Sequence, residues 1–368
     1  MTQESMVSTK TIVPKGNPLL NAPILGTLAR LSIPNVIAML ATSLVAVAET
    51  AYAGQLGTPA LAGLALVFPM VMLQQMLSAG AMGGGVSSSI SRALGAGSEA
   101  RAARLALHAL LIGALAGLFF CALFLLFGMP IYSMLGGDGV VLMEALAYSN
   151  IVFFGAFGVW MTNTLASIIR GGGDMKTPSI TLLIVAVSQF LLAGAFSLGW
   201  GPFPALGMAG IGIGLVIAFS VSTVFLFWYL LSGRARITLS FNDLQLQAEM
   251  FRDILKVGAI SCISPLQTVL TILILTRLIS EFGVEALAGY GIGARLEFLV
   301  VPIAFAIGVA CVPMVGMAIG AGNAARARQV AWTGGICAGL SIGLIGIVVA
   351  LFPNIWSGMF TNVPAVLD

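Results

Sequence analysis

Long apolar runs separated by short polar joints set the pattern of this chain. A helix needs about 20 apolar residues to cross the hydrocarbon core of a bilayer. Nine runs reach that length: about Leu31–Ala53, Pro59–Ala93, Ala102–Phe127, Val141–Ile169, Ser179–Leu198, Met208–Leu231, Ile254–Ser280, Ala286–Ile319 and Ala325–Phe352. The second and eighth are longer than a bilayer requires, which tilt or an extension past the membrane accommodates. The polar stretch 233–252 interrupts the pattern most strongly. It divides the chain into a tail (1–23), a six-helix lobe (24–232), the linker itself (233–252) and a three-helix second lobe (253–368).

Composition agrees with this reading. Of the 368 residues, 59% are hydrophobic and 8% are charged, where a soluble domain carries about 25% charged residues. The mean hydropathy is +1.07. The chain is therefore expected to be an all-α, polytopic membrane helical bundle. The polar first 22 residues have no apolar core, so they read as a loose tail and not as a signal peptide.

Charge placement gives an orientation. Fourteen of the sixteen Lys and Arg residues fall in the tail or at joints on one side of a nine-pass threading. The alternate joints, 54–59, 128–140 and 199–207, carry none. The positive-inside rule then puts the N-terminus in the cytoplasm and Asp368 outside, with the chain in the inner membrane. Only Arg277 and Arg295 fall elsewhere.

The chain also repeats itself. Gly57-Thr-Pro-Ala-Leu-Ala-Gly63 matches Gly283-Val-Glu-Ala-Leu-Ala-Gly289. Leu94-Gly-Ala-Gly97 matches Ile319-Gly-Ala-Gly322, and Leu126-Phe127 matches Leu351-Phe352, at nearly the same spacing. Six helices separate equivalent points, so the halves share an orientation and are related by an axis along the membrane normal. The first half holds six helices and the second three, as expected of a fragment or a shortened gene.

These residues carry a resemblance. Glu49-Thr-Ala-Tyr-Ala-Gly-Gln-Leu-Gly57 is similar to the first-helix signature of the multidrug and toxic compound extrusion (MATE) family, and of its DinF-like branch in particular. Arg170-Gly-Gly-Gly-Asp-Met-Lys-Thr-Pro178, Gly201-Pro-Phe-Pro-Ala-Leu-Gly207 and Gly291-Ile-Gly-Ala-Arg-Leu-Glu297 resemble three further family motifs. The resemblance runs from about Ala29 to the end. It implies a two-lobe fold of twelve helices, nine of them present here, with cation-coupled efflux through a cavity open alternately to each side. The chain departs from the family pattern at two positions. Glu49 stands where the family usually has Asp, and Ala193 stands at about the place where some relatives carry a second acid.

The candidate chemistry centres on Glu49, the coupling residue for H+ or Na+. An acid in mid-membrane costs about 2.5–3.5 kcal/mol on insertion scales, and protonation removes that charge. The bland alternative is an interfacial tether capped by Gln55 or water. The repeat favours function, because the second half has Leu275 at the equivalent position while Thr50 is matched by Thr276. Glu297 and Arg295 are further candidates for the substrate path. They are two residues apart, so they face different neighbours. Asn163, Asn150, Gln189, Gln74 and Gln267 are path candidates inside spans, although amides in bundles more often serve as interhelical glue. The Arg170–Pro178 joint reads as structural, with Asp174 capping the next helix. His108 reads as an interfacial residue.

Other classes are excluded. Gly83–Gly85 and Gly95–Gly97 lack a preceding strand and a following GK[ST], so no nucleotide site is expected. One histidine and four scattered cysteines make a metal site or a membrane enzyme improbable. The expected activity is export of small, often cationic, organic molecules by an antiporter. The expected partners are that substrate and the lipid bilayer, with no nucleic acid and no cofactor beyond the coupling ion, in a monomer. A lipid-linked precursor flippase and a non-transporting fragment are the alternatives.

Overall fold

In the computed structural model, residues 18–239, 245–280, 282 and 284–353 are described, leaving aside the side chains of 273, 276, 277, 280, 284–295 and 297–299. Among the described residues the secondary structure is helical: α1 (Pro18–Asn21), α2 (Ile24–Leu56), α3 (Thr58–Gln75), α4 (Gly83–Gly95), α5 (Glu99–Met134), α6 (Gly139–Phe154), α7 (Ala156–Gly171), α8 (Lys176–Leu198), α9 (Met208–Leu231), α10 (Ala248–Ser261), α11 (Ile263–Ser280), α12 (Val284–Gly320) and α13 (Ala324–Leu351). Among the described residues, eight helices are long and apolar enough to cross a membrane, and nine if the bent pair α6–α7 forms one span. Large apolar side chains such as Leu44, Leu126, Phe154, Val224 and Leu340 stay exposed on the outside of the bundle. That is a lipid-facing surface, since a water-facing one of this extent would aggregate.

Local chemistry explains the breaks. Gly57, at φ 119°, ends α2, and Pro59 opens α3 where its missing N–H costs nothing. Gly199 closes α8 in the left-handed region. The Asp174 side chain accepts a hydrogen bond from the Thr177 backbone N–H at 3.0 Å, which caps the start of α8 as the sequence suggested. Tyr229 donates to the other Asp174 oxygen at 3.1 Å and so ties this joint to α9.

Three of the apolar runs are interrupted in ways the pattern did not show, the seventh at Cys262 between α10 and α11. The fourth run bends by 46° between α6 and α7. The bend sits at Gly155, where a Cβ would collide with Val216 of α9. The second run contains a π-helical stretch, Met76–Met82, between α3 and α4. Such a stretch inserts a residue into the helical ladder and often marks a functional position.

Helices α2 to α9 pack on one another, and α2 and α4 also pack on α12. The pairs α8–α9, α2–α8, α5–α7 and α3–α6 make the main contacts among α2 to α9. Helix α10 begins at Ala248, inside the stretch read as linker, and packs on α4 and α5. Leu19 and Leu20, at the end of the stretch read as a loose tail, are buried in a core that also holds Met317, Ala318 and Ala321 of the second lobe. Arg326 at the start of α13 donates to the Leu19 and Ala22 carbonyl oxygens at 3.1 and 2.7 Å and holds that segment in place.

The halves meet along α4 and α12. A Cβ on Gly95 would run into the Met317 carbonyl, and a Cβ on Gly320 would run into the Arg92 carbonyl. Two backbones come this close only because both residues are glycines. Nearby, on the same end of the bundle, Arg101 of α5 forms ion pairs with Glu249 at 2.9 Å and Asp253 at 2.6 Å on α10.

Candidate functional site

Glu49 lies toward the C-terminal end of α2, on the face that packs against α8. It is only 7% exposed. One carboxylate oxygen accepts a hydrogen bond from the Gln189 side-chain N–H of α8 at 2.7 Å. Two residues that the sequence nominated separately, 140 positions apart, therefore form one pair. Gln55, the suggested cap, is exposed.

The surroundings are aromatic and uncharged. One turn on from Glu49, Tyr52 donates to the Phe190 carbonyl at 3.3 Å, and its ring meets Trp200 edge-on at 5.7 Å. Tyr148 of α6 is buried as well. No ion pair to Glu49 is present among the described residues. Ala193, at the position where a second acid was sought, is fully buried one turn beyond Gln189. Among the described residues this carboxyl has a single neutral donor and no compensating cation. A bound proton cancels its charge, and so does a bound monovalent cation. The site can therefore change charge state without breaking a salt bridge.

Asn163 organises a second polar cluster. It is buried on α7 and donates to the Gln75 side-chain oxygen at 3.0 Å and to the Ser78 hydroxyl at 2.8 Å. Ser78 lies in the π-helical stretch and donates in turn to the Gln74 carbonyl at 2.8 Å. The extra residue of that stretch carries Ser78 to Asn163. Ser167, one turn further along α7, donates to the Asn163 carbonyl at 2.7 Å. Beside it, a cavity of about 290 Å³ opens between the π-helical stretch and α4 on one side and α12 on the other, with Arg170 in its wall.

The remaining candidates fall elsewhere. Gln74 is buried, but its side-chain oxygen has no partner among the described residues, and its neighbour Gln75 takes the bond to Asn163. Asn150 on α6 and Gln267 on α11 are exposed, so neither acts as buried interhelical glue. The side chains of Arg277, Arg295 and Glu297 lie outside the described residues. His108 is buried within the protein. Its Nδ1 lies 2.8 Å from the Arg104 carbonyl oxygen, and its Nε2 accepts from the Gln247 backbone N–H at 2.9 Å, so it docks the lead-in to α10. Gln75, Ser78 and Arg170 were missed as site residues. Their positions follow from the π-helical register and from the approach of α12, and neither leaves a mark in local hydropathy.

Comparison with known proteins completes the description. Residues 34–194 and 261–368 match the MatE family. A protein named FAD transporter from Shewanella oneidensis is 25% identical over 351 residues, covering 95% of this chain and 77% of that protein. A probable multidrug resistance protein NorM from Thermotoga maritima is 27% identical over 344 residues, covering 93% and 73%. Among solved structures, an outward-facing multidrug resistance MATE family transporter of the MOP superfamily superposes with a TM-score of 0.86. It is 25% identical, with 96% of this chain and 78% of that one covered. A MOP superfamily transporter from Pyrococcus furiosus, at 24% identity and a TM-score of 0.87 over 96% and 78%, shares the fold. With this helical architecture and these matches, the chain belongs to the MatE family of multi-pass membrane efflux transporters, which are carriers and not enzymes.

Proposed function

We propose that the chain exports small organic molecules, often cationic, and that inward movement of H+ or Na+ through Glu49 drives the export. The pairing of a buried, otherwise uncompensated carboxylate with the neutral Gln189 amide carries this reading. An uncompensated charge in a water-poor bundle is costly, so a bound cation relieves the charged state, and its arrival or loss biases the lobe between two packings. Ala193 removes the option of a paired-carboxylate site at that position, which favours the proton. The charge distribution supports an inner-membrane protein with its N-terminus in the cytoplasm.

The test is ethidium accumulation in cells expressing the chain. The wild type should lower accumulation and an uncoupler should restore it. Accumulation in Glu49→Gln cells should match that in cells carrying no transporter. A Glu49→Gln variant that exports as well as its parent removes Glu49 from the mechanism.

A further inference from the structure

The RGGGD segment reads from sequence as a joint between helices, yet its first residue does more than end one. Arg170 stands in the last turn of α7 and is 93% buried, at 7% relative exposure. Its guanidinium makes no ion pair and no hydrogen bond with any described residue, and its Nε is buried without a partner. It lines the cavity of about 290 Å³ between the two halves. Ser87 of α4 lines the same cavity, and its hydroxyl is also buried without a partner. Ser167 completes the polar wall, with its proton already given to the Asn163 carbonyl. The facing wall is apolar: Phe305, Val309 and Val312 of α12.

A guanidinium withdrawn from water costs several kcal/mol unless an acceptor with negative charge meets it. A structural arginine would have that acceptor within the protein. Asp174, only four residues on, is already committed to Thr177 and Tyr229. Two residues with unpartnered donors, one of them cationic, line a cavity with an apolar opposite wall. The complementary ligand has an oxyanion head and an apolar body.

We infer that the cavity between α4, α7 and α12 is a binding site for the oxyanion group, carboxylate or phosphate, of an amphiphilic molecule, with Arg170 as its counter-charge and Ser87 as a second donor. The site lies apart from Glu49 and takes the opposite charge. Cargo carrying both charges would be read at two places. The inference rests on the transport reading only in taking the bound molecule as cargo. The same head group could also arrive on a phospholipid.

The test is equilibrium binding of benzyl phosphate to the purified chain in maltoside detergent, with benzylammonium as the opposite-charge control and lipid phosphorus counted in each preparation. No gradient is imposed, so the outcome is independent of whether Glu49 drives transport. Benzyl phosphate should bind the wild type, and Arg170→Gln should weaken it at least about tenfold through loss of the charge-assisted bonds. Gly84→Asp provides a second arm. Gly84 lines the cavity and a Cβ there meets nothing within 4 Å, so the new carboxylate fits and should occupy the guanidinium with the same loss of binding. If the site holds a lipid head group, phosphorus copurifies with the wild type and falls in both variants, and the oxyanion site stands with lipid as its source. Benzyl phosphate binding equally to wild type and both variants overturns the inference. So does an absence of both benzyl phosphate binding and variant-sensitive phosphorus, or benzylammonium binding as tightly as benzyl phosphate.

Discussion

Gly95 and Gly320 are counterparts across the contact between the halves. Each leaves room for a backbone carbonyl of the other half, Met317 for Gly95 and Arg92 for Gly320. The internal repeat places Gly95 over Gly320 and Arg92 over Met317, so the two contacts are one contact seen from both sides. Ser91 and Gly316 are likewise equivalent, and they meet each other. The repeat is thus physically expressed at the axis between the lobes, at the end of the bundle that also carries the Arg101 ion pairs.

That symmetry predicts paired mutational effects. Gly95→Val and Gly320→Val should each force the backbones apart, at a cost of about 1–3 kcal/mol for overpacking. Both should lower the thermal midpoint, by similar amounts. Gly339→Val on α13, where a Cβ meets nothing within 4 Å, is the control and should change little. Thermal unfolding followed by tryptophan fluorescence checks all three.

The Arg101 pairs should contribute far less. Arg101 and Asp253 have side chains 36% exposed and Glu249 is 68% exposed, and exposed pairs yield about 0.2–1 kcal/mol. Arg101→Ala should leave the thermal midpoint close to the wild-type value. Its effect should lie in the halves' relative position and diminish as salt rises, which crosslinking between α5 and α10 at low and high salt would record.

Asn163→Ala should be costly. It removes two donated hydrogen bonds and strands the Gln75 side-chain oxygen against the π-helical stretch. A buried group left unpaired costs about 1–3 kcal/mol. Asn163→Asp should not rescue stability, since an acceptor replaces the donor. Chemical denaturation of the three proteins in the same micelle measures the difference.

Much of the fold could be read in advance, because a membrane span writes itself as a continuous apolar run. The sixth run coincides with α9 at both ends, Met208 and Leu231. Alternation of Lys and Arg between joints fixed the span count, since one missed helix would have moved every later joint to the wrong side. The bend at Gly155 was hidden because its cause is Val216, on another helix. The π-helical stretch was hidden because every residue in it is compatible with an α-helix. At the site, Glu49 was legible as a lone acid in an apolar run, and Gln189 as a lone amide. Their pairing was not, because it depends on how α2 packs on α8. Arg170 was read as a helix end because its burial depends on how α7 packs against other helices and not on its own run.

Gln189→Leu separates the amide's role from the acid's. It removes the single donor to Glu49 and leaves the carboxyl in an apolar pocket. The bond that ties Glu49 on α2 to α8 is then gone, so the response of the packing to pH should differ from that of the wild type. A pH titration of tryptophan fluorescence, with Trp200 beside Tyr52 as the local reporter, reads that difference.

The central claim is that the charge state of Glu49 sets how the halves stand. Spin labels at Leu135→Cys and Phe282→Cys, both exposed positions, report the separation of the halves at the end away from the Gly95–Gly320 contact. The background replaces the four native cysteines by alanine. Distances are measured by electron–electron resonance from pH 5 to pH 9, with and without sodium. The account predicts a distance distribution that shifts with pH or sodium in the parent and stays fixed in Glu49→Gln. A Glu49→Gln protein that still shifts as the parent does would contradict it.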